Sequence, residues 1–228
     1  MGALNMTLLS VVVPLAPGEE SWRALSADLA LLPDGAEVLF VGSEDPSSRQ
    51  ESTGPSAKMG TWLFSSGSRA GVMNAGADAA KGEFLWFLHA DSKFGPDAVS
   101  ALYRAVRSHP ESLHYFNLAF FGADARLTRL MRMNEWGARV RSWALKVPFG
   151  DQGFCISKSL FKKVGGFPEG MAYGEDRAFV MRARGRGIKV RSTGATLYTS
   201  DRKYKNNGWL KTTLLHQYRW IKLAWPSR

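Results

Sequence analysis

The sequence predicts an α/β fold with a mostly parallel central sheet and helices on both faces. Three observations carry that prediction. Residues 8–13, 38–41 and 84–88 are almost uniformly apolar instead of alternating, as in strands buried on both sides of a parallel sheet. The segments between them keep helical spacing. Each run then ends in a kinked or polar stretch, as strands do where they emerge at one edge of such a sheet. Strand, helix, strand, repeated, requires right-handed crossovers and puts the helices on both faces.

The elements follow in order. The first strand ends at Pro14-Leu15-Ala16-Pro17, and Trp22, Leu25, Leu29 and Leu32 then share one helix face. The second ends at Gly42-Ser43-Glu44-Asp45, after which Ala70, Met73 and Ala77 repeat the helical pattern more weakly and Gly82 stops it. The third runs into His89-Ala90-Asp91, and Gly95-Pro96 opens a helix with Val99, Leu102, Tyr103 and Val106 inward. Residues 113–121 read as a longer strand. Residues 127–147 read as a helix with the stripe Met133, Trp136, Val140, Trp143 and Val147. "VPFGDQGFCIS" reads as a loop entering a strand, and Ser157 caps a short helix that ends at Gly165-Gly166. A basic helix to about residue 184, two short strands at 188–191 and 195–199, and a helix from about 209 to 224 complete the chain.

The 228 residues suit one compact domain, and 45% hydrophobic with 22% charged is a globular composition. The uncharged stretch before Glu19 lacks a basic start and is broken by Pro14 and Pro17, so it reads as a strand and not a signal peptide. No run approaches the ~20 apolar residues of a membrane span. The single cysteine, Cys155, excludes an internal disulfide framework and a cysteine-rich zinc site. The expectation is a cytoplasmic protein. A net charge of +10, crowded into the C-terminal half, points to an anionic partner or to a solvated basic face.

In parallel α/β sheets ligands bind beyond the carboxyl ends of the strands, which directs attention to the three strand ends. Asp91 either caps the turn that follows or holds a divalent cation, magnesium or manganese, whose remaining ligands are diphosphate oxygens. His89 is a second ligand or a diphosphate contact. Glu175-Asp176 is an acidic first helical turn, favoured by the helix dipole, or a general base reaching into a cleft. Arg69 and Asn74 offer phosphate and nucleotide contacts, against the plainer reading of a surface arginine and a tolerated asparagine.

"SVVVPL", "EVLFVGSEDPS", "SRAGVMNAGADAAKGEFLWFLHADS" and "VGGFPEGMAYGEDRAF" fall in an order and spacing that resembles the inverting glycosyltransferases of family 2, with their GT-A fold. "FLHADS", "PFGDQG", "LFKKVGGFPE" and "NGWLKTTLL" look like a bacterial branch labelled selenodomain-associated or arsenosugar-biosynthesis transferases. The resemblance implies a nucleotide-sugar-binding half at residues 1–95 and an acceptor-binding half at 96–228 that closes with a basic amphipathic helix. It implies that Pro14 and Leu15 line the nucleoside pocket and that Arg69 and Asn74 touch the nucleotide. His89 and Ala90 would stand on the nucleotide side of an Asp-X-Asp motif whose metal-binding member is Asp91. Asp176, beside Glu175, would be the catalytic base, and Gly150, Asp151 and Gln152 would border the sugar or acceptor. The chain departs from the family after its second strand, where Gly42 replaces the usual Asp and leaves Glu44 or Asp45 as substitutes.

The expected reaction is attack by an acceptor hydroxyl on a nucleoside diphosphate sugar with inversion, Asp176 taking the proton while the cation, with Arg202 or Lys203, stabilises the departing diphosphate. The closing helix packs on the core or rests on anionic lipid at the inner face of a membrane, and with the tryptophan stripe it makes a lipid-linked acceptor an option. His216-Gln217-Tyr218-Arg219-Trp220 resembles the Gln-X-X-Arg-Trp motif of processive members. The rivals are a nucleotidyltransferase, for which "PLAPGEES" lacks a glycine- and lysine-rich phosphate loop, a non-catalytic nucleotide-sugar binder, and a nucleic-acid binder. No nucleic-acid partner is expected, because a basic patch alone is weak support.

Overall fold

The computed structural model describes residues 9–42, 60–122 and 125–224. Its elements are β1 (Leu9–Leu15), α1 (Trp22–Leu29), β2 (Glu37–Gly42), β3 (Thr61–Phe64), α2 (Arg69–Ala79), β4 (Phe84–Phe87), β5 (Ser92–Lys93), α3 (Pro96–Ser108), β6 (Leu113–Phe121) and α4 (Ala125–Val140). A π turn (Arg141–Leu145) and a 3-10 turn (Gly150–Gln152) lead to β7 (Phe154–Ser157), α5 (Lys158–Val164), α6 (Glu175–Gly185), β8 (Val190–Ser200), α7 (Arg202–Asn207) and α8 (Trp209–Ala224).

One eight-stranded sheet, in the order β3-β2-β1-β4-β7-β6-β8-β5, runs through both halves of the chain. The three apolar runs are its parallel centre: β1 pairs with β2 on one side and β4 on the other. β7 is antiparallel to both its neighbours, and β6 returns to a parallel pairing with β8. Because successive side chains on a strand alternate between faces, Val12 and Leu85 pack under α2, α5 and α6, while Val11, Val13 and Trp86 pack under α1 and α3. Helices therefore cover both faces. Gly76 lets α2 sit close on the sheet, since a Cβ there would meet Val12 at 2.5 Å and Val41 at 2.9 Å.

Several expectations change. The first helix ends at Leu29. β3 and β5 are additional strands, one a short edge strand and the other a two-residue strand whose partner, β8, lies far along the sequence. Residues 188–191 and 195–199 do not form two strands. Residues 190–191 and 195–199 belong to the single β8, which Ile188 and Lys189 precede, and its polar middle forms a bulge: Tyr115 and Asn117 of β6 face Ser192 and Thr196, so β8 carries two extra residues. Gly194 absorbs them at φ +83°, and Asn117 Nδ2 donates to its carbonyl at 3.1 Å. The helix expected over 127–147 gives way to the π turn at Arg141, and Lys146 adopts a left-handed conformation. Of its apolar stripe only Val147 is buried; Met133, Trp136, Val140 and Trp143 are exposed. On α8, Leu210, Leu214 and Tyr218 are exposed too, so this face does not pack on the core. No helix among the described residues is long and apolar enough to cross a membrane.

Candidate active site

Two hollows meet at the carboxyl edge of the parallel strands. The smaller, about 390 Å³, is lined by Pro14 and Leu15 at the end of β1, by Ala16, Pro17 and Glu19 after it, and by Ala90. The larger, about 510 Å³, is lined by Phe120, Phe149, Asp151, Glu175, Asp176 and Tyr204 among others. Arg69, His89, Asp91 and Lys203 line both and form the wall between them. Strand ends, the start of α2, the start of α6 and the start of α7 thus deliver their side chains to one place. A still larger hollow, about 790 Å³, lies between α3, β6 and β8, but no carboxylate lines it. Carboxylates at strand ends, and not volume, locate the chemistry here.

Arg69 opens α2, whose N-terminus is capped by the Ser68 hydroxyl accepting from the Gly71 N–H at 3.3 Å. Its guanidinium reaches two elements at once. Nη2 donates to His89 Nε2, and Nε lies 3.7 Å from Glu175 Oε1. Burial, with the positive charges of Arg69 and Lys203, holds the His89 pKa well below the ordinary imidazole range, so His89 is a neutral acceptor at pH 7.

The carboxylates are held differently. Asp176 Oδ2 accepts from the Gly150 N–H at 3.1 Å, and Oδ1 is buried with no hydrogen-bond partner. Burial pushes its pKa from 3.8 up to about 6; Arg69 opposes that rise, while Glu175 and Asp151 add to it. Gly150 has no room for a side chain, because a Cβ there would lie 2.4 to 2.7 Å from the Asp176 carboxylate. Asp151 is also raised, chiefly by burial, and its Oδ1 has no partner. Burial raises Asp91 as well, against the pull of Lys203. Across the smaller hollow, burial pushes Glu19 up, but the Ser21 N–H at 2.9 Å and Arg202 at 3.4 Å outweigh it and leave the carboxylate below its usual value.

The structure brings Pro14, Leu15, Arg69, His89, Ala90, Asp91, Asp151, Glu175, Asp176, Arg202 and Lys203 to these two hollows. Three expected contacts have other work. Asn74 spends its amide on the loop after α5, with Oδ1 accepting from the Phe167 N–H and Nδ2 donating to the Phe167 carbonyl, each at 2.9 Å. Gln152 is buried: Oε1 accepts from Ser142 Oγ at 2.9 Å and the Phe149 N–H at 3.1 Å, and Nε2 donates to the Phe116 carbonyl at 3.0 Å. Gly42 is buried at the end of β2, its carbonyl accepting from the Ser65 N–H at 2.9 Å. None of these three lines either hollow. Gly150 stands behind Asp176 as its hydrogen-bond donor, while Glu44 and Asp45 lie outside the described residues. Glu19, Phe120, Phe149 and Tyr204 were not anticipated; for Glu19 the signal was its place just after β1, within the strand-end rule.

Comparison with known proteins bears on the fold and on the sequence that carries it. Residues 66–165, from the start of α2 through α5, match the family model described as Glycosyl transferase family 2. Two uncharacterized glycosyltransferases of Mycobacterium tuberculosis, from strains H37Rv and CDC 1551, are each 32% identical over 131 residues, covering 51% of this chain and 44% of the relative. The chain thus spans less than half the length of the curated relatives it matches. Among solved structures, residues 1–349 of S. aureus TarS superpose with a TM-score of 0.59 at 19% identity, covering 86% of this chain and 61% of that one. TarS in complex with UDP-GlcNAc superposes equally well, over 85% of this chain and 58% of that one. The matched region and the architecture coincide: the chain has a GT-A fold, and its residues 66–165 are similar to the family 2 glycosyltransferase model.

Proposed function

We propose that the chain transfers a sugar from a nucleoside diphosphate sugar to an acceptor hydroxyl, with inversion at the anomeric carbon. One observation carries the reading: a carboxylate with an unpartnered oxygen and a pKa near 6, Asp176, lines the same cavity as the cationic wall of Arg69 and Lys203. A base needs a pKa close to the working pH and access to the proton it removes. The wall supplies what an anionic leaving group needs.

In this reading the nucleoside sits over Pro14 and Leu15 in the smaller hollow, and the diphosphate lies against Arg69, Lys203 and Arg202. The sugar projects into the larger hollow. The acceptor oxygen attacks the anomeric carbon as its proton passes to Asp176, and the bond from that carbon to the diphosphate oxygen breaks with its electron pair on the leaving group. Fixed cations aimed at that developing charge are the strongest electrostatic help such a site can give. His89, kept neutral, accepts from Arg69 and orients it without adding a charge.

Asp91 fits a divalent cation, magnesium or manganese. Its carboxylate lines both hollows beside Lys203, where it would hold an ion whose other ligands are diphosphate oxygens. Such an ion would supply charge neutralisation at the leaving group. TarS in complex with UDP-GlcNAc supports a nucleotide-sugar donor. The exposed apolar faces of α4 and α8 support an acceptor carried on lipid.

The test is a melting-temperature screen with UDP, GDP, CDP, TDP and ADP, each with and without manganese or magnesium. A ligand at ~100 times its Kd stabilises the fold by ~2.7 kcal/mol. A shift with one nucleotide that needs the metal and disappears in Asp91→Ala supports the reading. Nucleotide-independent melting under every condition removes it.

A further inference from the structure

We propose that the face built by α4, the π turn and α8 docks on an anionic lipid bilayer, and that the groove between α4 and α8 leads from that surface to the active cavity. The groove's role as an acceptor path rests on the transferase reading; the docking does not.

Large apolar side chains are exposed on each element of this face. Trp136 and Trp143 are 69% and 72% exposed, and on α8 Leu210 and Tyr218 are 62% and 60% exposed. The two helices meet, with Asn134 Nδ2 3.4 Å from Thr213 Oγ1. Scattered apolar side chains are ordinary on a surface, but several large ones on two helices that touch mark a contact. Between the helices runs a groove of about 410 Å³, walled by Met133, Trp136, Val140 and Leu145. At its inner end it is lined by Phe120, Phe149, Asp151 and Tyr204, the residues that also line the active cavity. A chain lying in the groove therefore ends at the chemistry.

Charge chooses the occupant. Residues 125–146 hold six Arg or Lys and one acid, Glu135, whose Oε1 is occupied by the Phe120 N–H at 2.8 Å. Helix α8 holds three more basic residues and no acid. On the other side of the π turn lies the hollow of about 790 Å³, lined by Trp143, Lys146, Arg104, Arg184, Lys189 and Arg191 and by no carboxylate. An apolar face flanked by cations matches hydrocarbon beneath a layer of phosphate headgroups, and tryptophan is suited to that boundary. A second copy of the chain fits poorly. Symmetric pairing would set this face against itself and bring together its cations, six Arg or Lys against one acid in residues 125–146.

The experiment uses vesicles of phosphatidylcholine alone and of phosphatidylcholine mixed equally with phosphatidylglycerol, at low and high salt. The expected result is co-sedimentation with the mixed vesicles at low salt, weakened by salt, together with quenching of tryptophan fluorescence by brominated acyl chains. Trp136→Ser with Trp143→Ser should weaken partition by roughly tenfold or more. Arg104→Glu with Lys189→Glu should weaken it by at least roughly fivefold per residue. Circular dichroism and the nucleotide-induced melting shift should match wild type in both variants. Failure to bind mixed vesicles at low salt, or binding indifferent to these substitutions, overturns the proposal. So does a wild-type dimer in light scattering that the tryptophan substitutions make monomeric, since the cover is then a second copy. If vesicles bind while no nucleotide shifts melting, the docking stands and the transferase reading falls.

Discussion

Asp176→Asn should separate the chemistry of this site from its stability. The carboxyl rises from 3.8 to about 6 on folding, because burial disfavours its charge. A raised acid contributes stability that is fully present below its unfolded pKa and is lost as pH rises through the folded value. At pH 7.5 the ionised side chain therefore costs the fold ~3 kcal/mol, the product of the rise and ~1.36 kcal/mol per pH unit. At pH 5 most of the folded carboxyl is protonated and the cost falls to about half of that. Asparagine is nearly the same size and can still accept from the Gly150 N–H, so it removes the cost while keeping the contact. The variant should melt several degrees above wild type at pH 7.5, at ~2 to 4 °C per kcal/mol for a chain of this size, and the gap should narrow by about half at pH 5. Turnover, followed as nucleotide release from the donor identified by the melting screen, should fall ~100- to 10,000-fold with donor affinity unchanged. Scanning fluorimetry across pH 5 to 8 and single-turnover assays measure both halves. A variant that melts below wild type at pH 7.5, or that turns over as fast, would refute the reasoning.

Other substitutions probe the supports of that carboxylate. Gly150→Ala places a Cβ 2.4 to 2.7 Å from the Asp176 carboxylate; kcat should drop at least ~10-fold, as small misplacements of a reacting group do, with nucleotide affinity intact, and unaltered kcat would mean that Asp176 is not held by this contact. Arg69→Gln and Glu175→Gln should move the acid limb of the pH–rate profile in opposite directions. Arg69 lowers the Asp176 pKa and Glu175 raises it, so losing Arg69 shifts the limb to higher pH and losing Glu175 shifts it lower; limbs that stay put would assign the profile to another group. Gly76→Ala should destabilise the fold by ~1 to 3 kcal/mol in urea titration through overpacking against Val12 and Val41, without changing nucleotide affinity per folded molecule.

What the sequence made legible follows from what each segment touches. β1, β2 and β4 are covered by helices on both faces, so their burial shows as a run of apolar residues. β3 is a four-residue strand at the sheet edge with half its residues exposed, and it leaves no such trace. β8 looked broken because Ser192, Thr193 and Gly194 are polar or permissive, yet its bulge keeps one strand in register on β6. Asp91 and Asp176 could be found locally, one at a strand end and one at a helix start. Asn74 and Gln152 could not be read correctly, because their partners are the backbones of Phe167 and Phe116, far away in the chain. Helical spacing on α4 and α8 reports an apolar face but not what covers it, so a stripe that reads like core packing is exposed.

The adjacent pair Glu175 and Asp176 shows why identity and spacing alone do not assign a base. Both stand in the first turn of α6, where the helix dipole favours negative charge, and the sequence treats them alike. Their surroundings do not. Glu175 lies against the Arg69 guanidinium, and a proton accepted there would have to displace a charge pair. Asp176, which lines the cavity, has one oxygen held by a backbone N–H and the other buried without a partner. The burial that makes Asp176 costly to the fold also keeps its proton affinity near neutral pH, where a base can both take and release a proton. Arg69 connects the two outcomes: by pairing with Glu175 and taking its orientation from a neutral His89, it leaves Asp176 as the carboxylate whose second oxygen has no partner.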